Sequence, residues 1–180
     1  MTADLERKAA SIKLLLFDVD GVLTDGTVAL HGDGAEGKSF HIRDGIAMVW
    51  AQRAGLIVGL LSARQSTATA QRAAQLGVTL VHQGVPSKID TYDDIVGDLV
   101  LEDAQVAYMA DDVNDLAVLA RVGLSAAPGD AVEEVRARVD WVSGLGGGRG
   151  AVREFIELVL RAQGLWEPIV EQYANQRQRA

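Results

Sequence analysis

The feature that most constrains the fold is a nearly unbroken apolar run, Ile12 to Phe17, that ends in two aspartates. Such a run predicts a β-strand that is buried on both faces. Strands of this kind occur almost only in parallel sheets that helices cover on both sides. Asp18 and Asp20 follow at the carboxyl end of the predicted strand, where open α/β sheets bind their ligands. The start of the chain therefore predicts a parallel sheet covered by helices, with a ligand site at the carboxyl ends of its strands.

Apolar segments and helical patterns alternate along the rest of the chain. Further strands are predicted at about 56–61, 78–81, 106–110, 124–126 and 140–142. Helices are predicted at about 44–54, 65–76, 87–101, 114–122, 131–138 and 151–162. This alternation predicts an α/β fold, namely a Rossmann-like, mainly parallel sheet with helices on both faces.

A short segment after the first strand departs from this pattern. Residues 27–30 and 39–42 show apolar alternation on either side of a Gly-rich loop, which predicts a small β-hairpin insertion over about 27–42. Within it, Gly32 to Ser39 match the spacing of a phosphate-binding P-loop. That loop requires a buried strand before it and a helix after it, and hairpin-like sequence lies on both sides here. We therefore interpret the segment as a hairpin and not as a nucleotide site.

The length of 180 residues suits one domain with a small insertion. We expect an N-terminal extension at 1–11 and a single α/β domain at 12–164, without a large cap domain. The tail at 165–180 is mostly polar, and we expect it to be frayed or docked on a partner.

The composition excludes several classes of protein. A hydrophobic content of 48% supports a sizeable core, and the lack of cysteine excludes a disulfide scaffold, a zinc–thiolate site and a thiol nucleophile. The net charge of −8 disfavours nucleic acid as a partner. No signal-peptide pattern or membrane-spanning run is present, so we expect no membrane partner and a cytoplasmic location.

Two clusters of carboxylates follow predicted strands. Asp18 and Asp20 form the first, and Asp111, Asp112 and Asp115 form the second, directly after the strand at 106–110. Because the carboxyl ends of parallel strands share one edge, both clusters are predicted to face one crevice. Such close carboxylates favour a bound cation, and Mg²⁺ is the natural candidate. The alternative is that the second cluster caps a helix, and for Asp115 alone that alternative stays open.

Two further segments carry groups suited to anions. Ser62 ends a predicted strand, and Lys88 lies in the first turn of a predicted helix, where a cation opposes the helix dipole. Arg149 and Arg153 follow a Gly-rich stretch that allows a close approach of the backbone to a ligand. Each of these features has an alternative interpretation. Ser62 could be an ordinary helix cap, Lys88 a solvated lysine, and the Gly-rich stretch a linker before a salt-bridged helix.

Taken in order, these residues resemble the four motifs of the haloacid dehalogenase superfamily. The matching residues are Asp18 to Gly26, Ser62, Lys88 and Asp111-Asp112 with Asp115. A further likeness is to the phosphatases of that superfamily that act on phosphorylated sugar acids, in Arg43-Asp44-Gly45, Ser62-Ala63-Arg64, Gln83-Gly84, Arg121 to Ser125 and Gly147 to Glu154. The resemblance covers about Lys13 to Gly164, with Ala63 and Ala110 in place of the usual glycines.

The resemblance implies a role for each motif residue. Asp18 would be the nucleophile that forms an aspartyl-phosphate, and Asp20 would be the general acid and base. Mg²⁺ would be held by Asp18, the backbone carbonyl of Asp20, and Asp111. Ser62 and Lys88 would bind the phosphate. Asp112 and Asp115 would be supporting residues, and the arginines expected to bind the substrate are Arg43, Arg64 and Arg149, with Arg153 as a further candidate for its carboxylate.

The resemblance also implies a substrate and an assembly. The expected substrate is a phosphorylated sugar acid, with 3-deoxy-D-manno-octulosonate 8-phosphate, on the route to lipopolysaccharide, favoured over a nine-carbon sialic-acid-like sugar phosphate. A homotetramer that completes each active site across subunits is expected. The alternative outside enzymes is a signalling receiver domain, but receivers place the adjacent acids after the first strand, and here they come late in the chain.

Overall fold

A computed structural model describes residues 2–32 and 36–175 of the chain. Its strands, in chain order, are β1 (Leu14–Phe17), β2 (Ala29–Leu30), β3 (Glu36–Gly37), β4 (Ile57–Ser62), β5 (Leu80–Gln83), β6 (Val106–Met109), β7 (Leu124–Ala127) and β8 (Trp141–Val142). Six of them form one parallel sheet in the order β5-β4-β1-β6-β7-β8, with β1 between β4 and β6. The predicted mainly parallel sheet is therefore confirmed.

Helices cover both faces of this sheet. They are α1 (Ala3–Ala10), α2 (Ile42–Arg53), α3 (Thr67–Leu76), α4 (Lys88–Asp98), α5 (Leu116–Leu119), α6 (Glu133–Arg136), α7 (Ala151–Ala162) and α8 (Trp166–Ala174). Short 3₁₀ turns at Asp103–Gln105 and Val113–Asp115 lie before β6 and α5. No large cap domain is present in the part of the chain that the structure describes, as expected.

The alternation of side chains along β1 divides the core in two. Leu15 and Phe17 belong to a core that α1, α2, α7 and α8 complete, and Leu14 and Leu16 belong to a second core with α4, α5 and α6. All four side chains are fully buried. Because both faces of β1 are covered, its carboxyl end is the point at which the chain emerges from the core toward the edge of the sheet.

The hairpin is present but shorter than predicted. Ala29 and Leu30 pair in antiparallel fashion with Gly37 and Glu36, and residues 33–35 of the predicted loop lie outside the described residues. The prediction of a second arm at 39–42 is wrong. Phe40 packs on the main core, and Ile42 is the first residue of α2, so the apolar alternation marks a helix entry and not a strand.

The tail was expected to be frayed or docked on a partner; for residues 166–174 the expected fraying is wrong, and docking on a partner stays a prediction. They form α8, whose Trp166 is buried in the same core as α7. The indole Nε1 of Trp50 donates a hydrogen bond of 3.0 Å to the hydroxyl of Tyr173, which fixes the far end of α8. None of the helices among the described residues is long and apolar enough to cross a membrane.

Candidate active site

The carboxyl ends of three neighbouring strands and the first turn of α4 meet at one cavity of about 240 Å³. Its lining residues are Asp18, Asp20, Gly26, Ser62, Ala63, Arg64, Lys88, Asp111, Asp112 and Asn114. Residues from four separate segments of the chain are thus brought together as the sequence predicted. Asn114 was not singled out in the sequence, although it lies within the second acidic cluster.

Asp18 lies at the floor of the cavity, with 6% of its surface exposed. Its Oδ1 accepts a hydrogen bond of 2.7 Å from the backbone N–H of Val19 and lies 3.0 Å from the ammonium of Lys88. Burial, and next the nearby carboxylate of Asp115, raises the pKa of Asp18 to about 7, although Lys88 opposes the shift. A buried carboxyl of this kind binds a cation readily, because the cation offsets both causes.

Lys88 connects Asp18 to a second buried carboxylate. Its ammonium donates hydrogen bonds of 2.7 and 2.9 Å to the two oxygens of Asp115, which is fully buried. The hydroxyl of Tyr108, on β6, also donates to Asp115. Burial alone would lower the pKa of Lys88. The carboxylates of Asp18 and Asp115 outweigh this effect, so the pKa of Lys88 is raised. Lys88 is therefore a fixed cation rather than a solvated lysine, and Asp115 is its partner rather than a helix cap.

Asp111 comes from the neighbouring strand and lies against the loop that holds Asp20. Gly21, at φ +84°, has no side chain, and a Cβ there would lie 2.0 Å from Oδ2 of Asp111. Burial and then the carboxylate of Asp115 raise the pKa of Asp111 to about 6. The glycine thus lets the two acidic clusters approach each other at the cavity.

The donor set at this cavity suits a hard cation with few protein ligands. Within residues 2–32 and 36–175, no group of three or more His, Cys, Asp or Glu side chains converges as a metal-binding cluster. Asp18 and Asp111 nevertheless line the same cavity, both with raised pKa values. Mg²⁺ is usually held by one or two carboxylates and keeps several waters, so two carboxylates are sufficient for it.

Asp20 is held by a residue that the sequence analysis did not select. Lys38, between β3 and α2, donates a hydrogen bond of 2.6 Å to Oδ1 of Asp20. Oδ2 of Asp20 is buried, has no hydrogen-bond partner among the described residues and lies 3.8 Å from Nε of Arg64. Arg64 in turn donates a hydrogen bond of 2.7 Å to Oε1 of Glu36. The hairpin is thus attached to the site by two polar contacts.

The remaining residues of the cavity wall have local hydrogen-bonding roles as well. Ser62 is buried at the end of β4, and its Oγ accepts a hydrogen bond of 3.3 Å from the backbone N–H of Arg64. Asp112 accepts a hydrogen bond of 2.7 Å from the backbone N–H of Val113 and caps the 3₁₀ turn. The capping alternative raised from the sequence therefore applies to Asp112.

The other arginines do not line this cavity. Arg43, Arg149 and Arg153 line a separate cavity of about 310 Å³. Arg149 is exposed, and its guanidinium lies 3.6 Å from Asp25. The guanidinium of Arg153 stacks 4.4 Å from the ring centroid of Trp50 and pairs with Glu157. Within one chain Arg153 is a packing residue rather than a free anion ligand.

The Gly-rich stretch closely approaches the backbone of the loop after β1. The backbone N–H of Gly148 donates a hydrogen bond of 2.9 Å to the carbonyl of Val22. A Cβ on Gly147 would lie 1.8 Å from the carbonyl oxygen of Gly21. The stretch therefore supports the loop that carries Asp20.

Comparisons with known proteins agree with this geometry, although no protein-family model matches the sequence. The chain is 40% identical, over 164 residues, to the 3-deoxy-D-manno-octulosonate 8-phosphate phosphatase KdsC of Escherichia coli K12, covering 91% of this chain and 87% of that protein. A Legionella pneumophila protein assigned to subfamily III A of the haloacid dehalogenase hydrolases superposes with a TM-score of 0.91 at 39% identity, covering 96% and 95% of the two chains.

A third relative carries ligands. The 3-deoxy-D-manno-octulosonate 8-phosphate phosphatase of Moraxella catarrhalis, solved with magnesium, phosphate and KDO, superposes with a TM-score of 0.93 at 31% identity, covering 96% of this chain and 99% of that one. These matches cover 91–96% of this chain. The chain therefore belongs to the 3-deoxy-D-manno-octulosonate 8-phosphate phosphatase family of the haloacid dehalogenase superfamily.

Proposed function

We propose that this protein is a Mg²⁺-dependent phosphatase that hydrolyses 3-deoxy-D-manno-octulosonate 8-phosphate through an aspartyl-phosphate on Asp18. The observation that carries the proposal is the single cavity lined by Asp18, Asp20, Ser62, Lys88 and Asp111, in a chain 40% identical to a phosphatase of that name. The relative solved with magnesium, phosphate and KDO supports the same ligands here.

Mg²⁺ would be held by the carboxylates of Asp18 and Asp111 and by the backbone carbonyl of Asp20. The ion would supply positive charge that screens the two carboxylates and stabilises the phosphoryl oxygens. The raised pKa values of Asp18 and Asp111 support this ligand set, because a cation at the cavity would offset the burial and like-charge repulsion that raise them.

In the first step, an oxygen of Asp18 attacks phosphorus and the bond from phosphorus to the sugar oxygen breaks. The departing oxygen takes a proton from Asp20, and an aspartyl-phosphate remains. Lys88 supports this step in two ways. It holds Asp18 at 3.0 Å, and it places a fixed positive charge where the phosphoryl group gathers negative charge.

In the second step, water attacks phosphorus and Asp20 takes a proton from it. The bond between phosphorus and the oxygen of Asp18 breaks, which releases inorganic phosphate and restores the free carboxylate. Ser62, at the end of β4, would donate to a phosphate oxygen throughout. Asp115 and Asp112 act indirectly, Asp115 by holding Lys88 and Asp112 by capping the turn after Asp111.

The sugar acid would extend from the phosphate toward Arg64, which lines the same cavity. Arg43 and Arg149 line another cavity of the same chain, so we propose that they reach a substrate through a homotetramer, across subunits. Two exposed apolar side chains near the hairpin, Leu30 at 78% and Ile42 at 74%, support such an assembly. The cytoplasmic location expected from the sequence stays a prediction.

A panel of phosphate esters tests the proposed function. We expect catalytic phosphate release, with the highest kcat/KM for 3-deoxy-D-manno-octulosonate 8-phosphate and a lower value for a nine-carbon sialic-acid-like sugar phosphate. The opposite ranking would favour the nine-carbon sialic-acid-like sugar phosphate as the substrate. Labelling of the protein that stops at one phosphoryl group per chain, without turnover, would instead indicate a receiver-like domain.

A further inference from the structure

Arg64 lines the main cavity, but its guanidinium is already bound to a carboxylate of this chain. Nη2 of Arg64 donates a hydrogen bond of 2.7 Å to Oε1 of Glu36, on β3. Nε of Arg64 lies 3.8 Å from Oδ2 of Asp20, which is too far for a hydrogen bond. Within the part of the chain that the structure describes, Glu36 is therefore the one hydrogen-bond partner of this guanidinium. It offers the same chemical group that a sugar acid would offer.

The contact between Glu36 and Arg64 has the features of a replaceable ion pair. The two side chains are 29% and 52% exposed, and pairs as accessible to water as this one contribute little to stability. Only one oxygen of Glu36 is used, since Oε2 is buried and has no hydrogen-bond partner among the described residues. The carboxylate of a ligand can instead form the bidentate arrangement that a guanidinium prefers. Exchange of Glu36 for a bound acid is therefore only weakly opposed.

The hairpin keeps Glu36 near Arg64 whether or not the ion pair is formed. Glu36 pairs with Leu30 across the hairpin, and Lys38, which follows shortly after it, donates a hydrogen bond of 2.6 Å to Asp20. Glu36 itself is not among the residues that line the cavity. A group tethered so close competes as if it were present at high concentration. It does so without filling the space that a substrate would need.

We propose that Glu36 is an internal competitor for Arg64, displaced by the carboxylate of a bound sugar acid; this inference rests on the proposed function. The exchange acts on both sides of the reaction, because hydrolysis removes the phosphate and leaves the carboxylate on the product. When Glu36 pairs with the guanidinium again, the freed sugar acid loses its contact with Arg64 and is released more readily. Glu36 thus lowers the affinity for the product and limits inhibition by it.

Product inhibition tests this role. The products 3-deoxy-D-manno-octulosonate and inorganic phosphate are each measured as inhibitors of the Mg²⁺-loaded protein, with p-nitrophenyl phosphate as the reporter substrate, and titration calorimetry gives the same two binding constants directly. Glu36→Gln keeps the shape of the side chain and removes its charge. We expect this variant to lower the inhibition constant of the sugar acid about two- to fivefold, the effect usual for a partly exposed ion pair. The constant for inorganic phosphate should stay unchanged, because its expected partners are Ser62 and Lys88.

Further variants show whether the effect passes through Arg64. Arg64→Gln should raise the inhibition constant of the sugar acid, and the addition of Glu36→Gln to it should bring no further change, since the competitor then has no guanidinium to hold. Glu133→Gln breaks an ion pair of the same length, 2.7 Å to Arg136 on α6, and should behave as wild type because neither residue lines a described cavity. Glu36→Ala removes the same carboxylate and replaces the glutamine variant if that variant does not fold, which thermal melting checks.

The results separate this inference from the proposed function. An unchanged inhibition constant for the sugar acid in Glu36→Gln would overturn the competitor role, and so would a higher one, because Glu36 would then orient Arg64 for the ligand. An equal decrease for the sugar acid and for inorganic phosphate would also overturn it, since the loss of one negative charge would explain both. Release of phosphate from 3-deoxy-D-manno-octulosonate 8-phosphate by the wild type keeps the proposed function in each of these cases. Without that release, the proposed function fails and the inference fails with it.

Discussion

Two buried carboxylates share one ammonium at the centre of the site. Lys88 lies 3.0 Å from Asp18 and 2.7 Å from Asp115, so one ammonium faces two carboxyl groups, and ionisation of both leaves one negative charge in excess. Such an arrangement is costly to bury, and the raised pKa values of both carboxyls reflect that cost. A metal ion at Asp18 would offset this cost, so binding of the cofactor should also stabilise the fold.

Tyr108 gives a test of how Asp115 holds Lys88. Tyr108→Phe removes the hydroxyl that donates to Asp115 and keeps the ring. We expect a loss of about 1–2 kcal/mol in the free energy of unfolding, and a several-fold lower kcat because Lys88 is held less firmly. Kinetics and urea unfolding measure the two effects.

Tyr92→Phe is the matched control for Tyr108→Phe. The hydroxyl of Tyr92 donates a hydrogen bond of 2.7 Å to Asp103, and neither residue lines the cavity. We expect the control to lose stability with kcat unchanged. Equal effects of the two variants on kcat would contradict a role of Tyr108 at the site.

The buried carboxyls predict how stability depends on pH in the metal-free protein. In the folded chain the pKa is raised from 3.8 to about 7 for Asp18 and to about 6 for Asp111. Between the ordinary pKa of 3.8 and the raised value of about 7, the folded chain binds more protons than the unfolded chain. The free energy of unfolding therefore falls as pH rises through this range. Asp103 and Asp140 have lowered pKa values in the folded chain. Their contribution to the free energy of unfolding therefore changes only at a pH near or below the ordinary aspartate pKa of 3.8.

Mg²⁺ should reverse this trend, because it binds the ionised carboxylates. We expect Mg²⁺ to raise the melting temperature more at about pH 8 than at about pH 5.5, and EDTA to remove both the increase and the activity. Ca²⁺ should support activity poorly, since it prefers a looser, larger coordination shell. Asp18→Asn should lose much of the pH dependence. A Mg²⁺ effect of equal size at both pH values would contradict this explanation.

The Gly-rich stretch before α7 is the element that supports the Asp20 loop from behind. A Cβ on Gly147 would lie 1.8 Å from the carbonyl oxygen of Gly21, so Gly147→Ala must push backbone against backbone. We expect about 1–3 kcal/mol of destabilisation, as for other overpacked sites, and at least tenfold lower kcat/KM. Unfolding and steady-state kinetics measure both.

Gly97→Ala is the control for a glycine in open space. Gly97 lies inside α4, and nothing lies within 4 Å of its added Cβ. Alanine there should be neutral or stabilising by about 0.4–1 kcal/mol, with activity unchanged. A Gly147→Ala variant that behaves like this control would contradict the supporting role of the stretch.

At the scale of elements, patterned segments could be predicted from the sequence. The strand around β1 and helix α7 were predicted closely, because long apolar runs and helical periodicity are local signals. Helix α8 was not predicted, although Trp166, Ile169 and Tyr173 recur at helical spacing, because the polar residues of the tail outweighed this short pattern. The second hairpin strand was misplaced because Glu36 and Gly37 pair through their backbones and show no apolar pattern.

The same distinction applies to the site, where some residues could be predicted from the sequence and some contacts could not. Residues at strand ends, such as Asp18, Ser62 and Asp111, could be predicted because topology alone brings them to one edge. The contacts of Lys38 with Asp20, and of Tyr108 with Asp115, could not be predicted. They depend on how a loop folds back and on which buried groups face each other, and spacing along the chain carries no signal for either.

At the scale of the whole molecule, the exposed apolar residues near the hairpin predict a closed assembly. Light scattering should give the mass of a homotetramer. Leu30→Asp should weaken the assembly, whereas Val170→Asp, at an exposed apolar residue on α8, should leave it intact. A monomeric wild-type protein with full activity at the assay concentration would contradict a site shared between subunits.

Arg149 tests whether such an assembly completes the site. Its side chain is 70% exposed and lies 3.6 Å from Asp25, outside the main cavity. We expect Arg149→Ala to raise KM for the sugar phosphate with the tetramer preserved. Arg138→Ala changes an arginine whose guanidinium has one polar contact among the described residues, to the carbonyl of Glu134, and it should leave KM unchanged. Equal KM values in both variants would remove Arg149 from the substrate site.

The central claim is that Asp18 carries the phosphoryl group during turnover. Rapid acid quench of the working enzyme, followed by mass spectrometry of its peptides, tests it most directly. We predict the added mass of one phosphoryl group on the peptide that contains Asp18, its absence in Asp18→Asn, and activity of that variant below about a hundredth of wild type, given the 10²–10⁴-fold contribution usual for one catalytic group. Turnover at the wild-type rate by Asp18→Asn, or a phosphoryl group trapped on another residue, would contradict the claim.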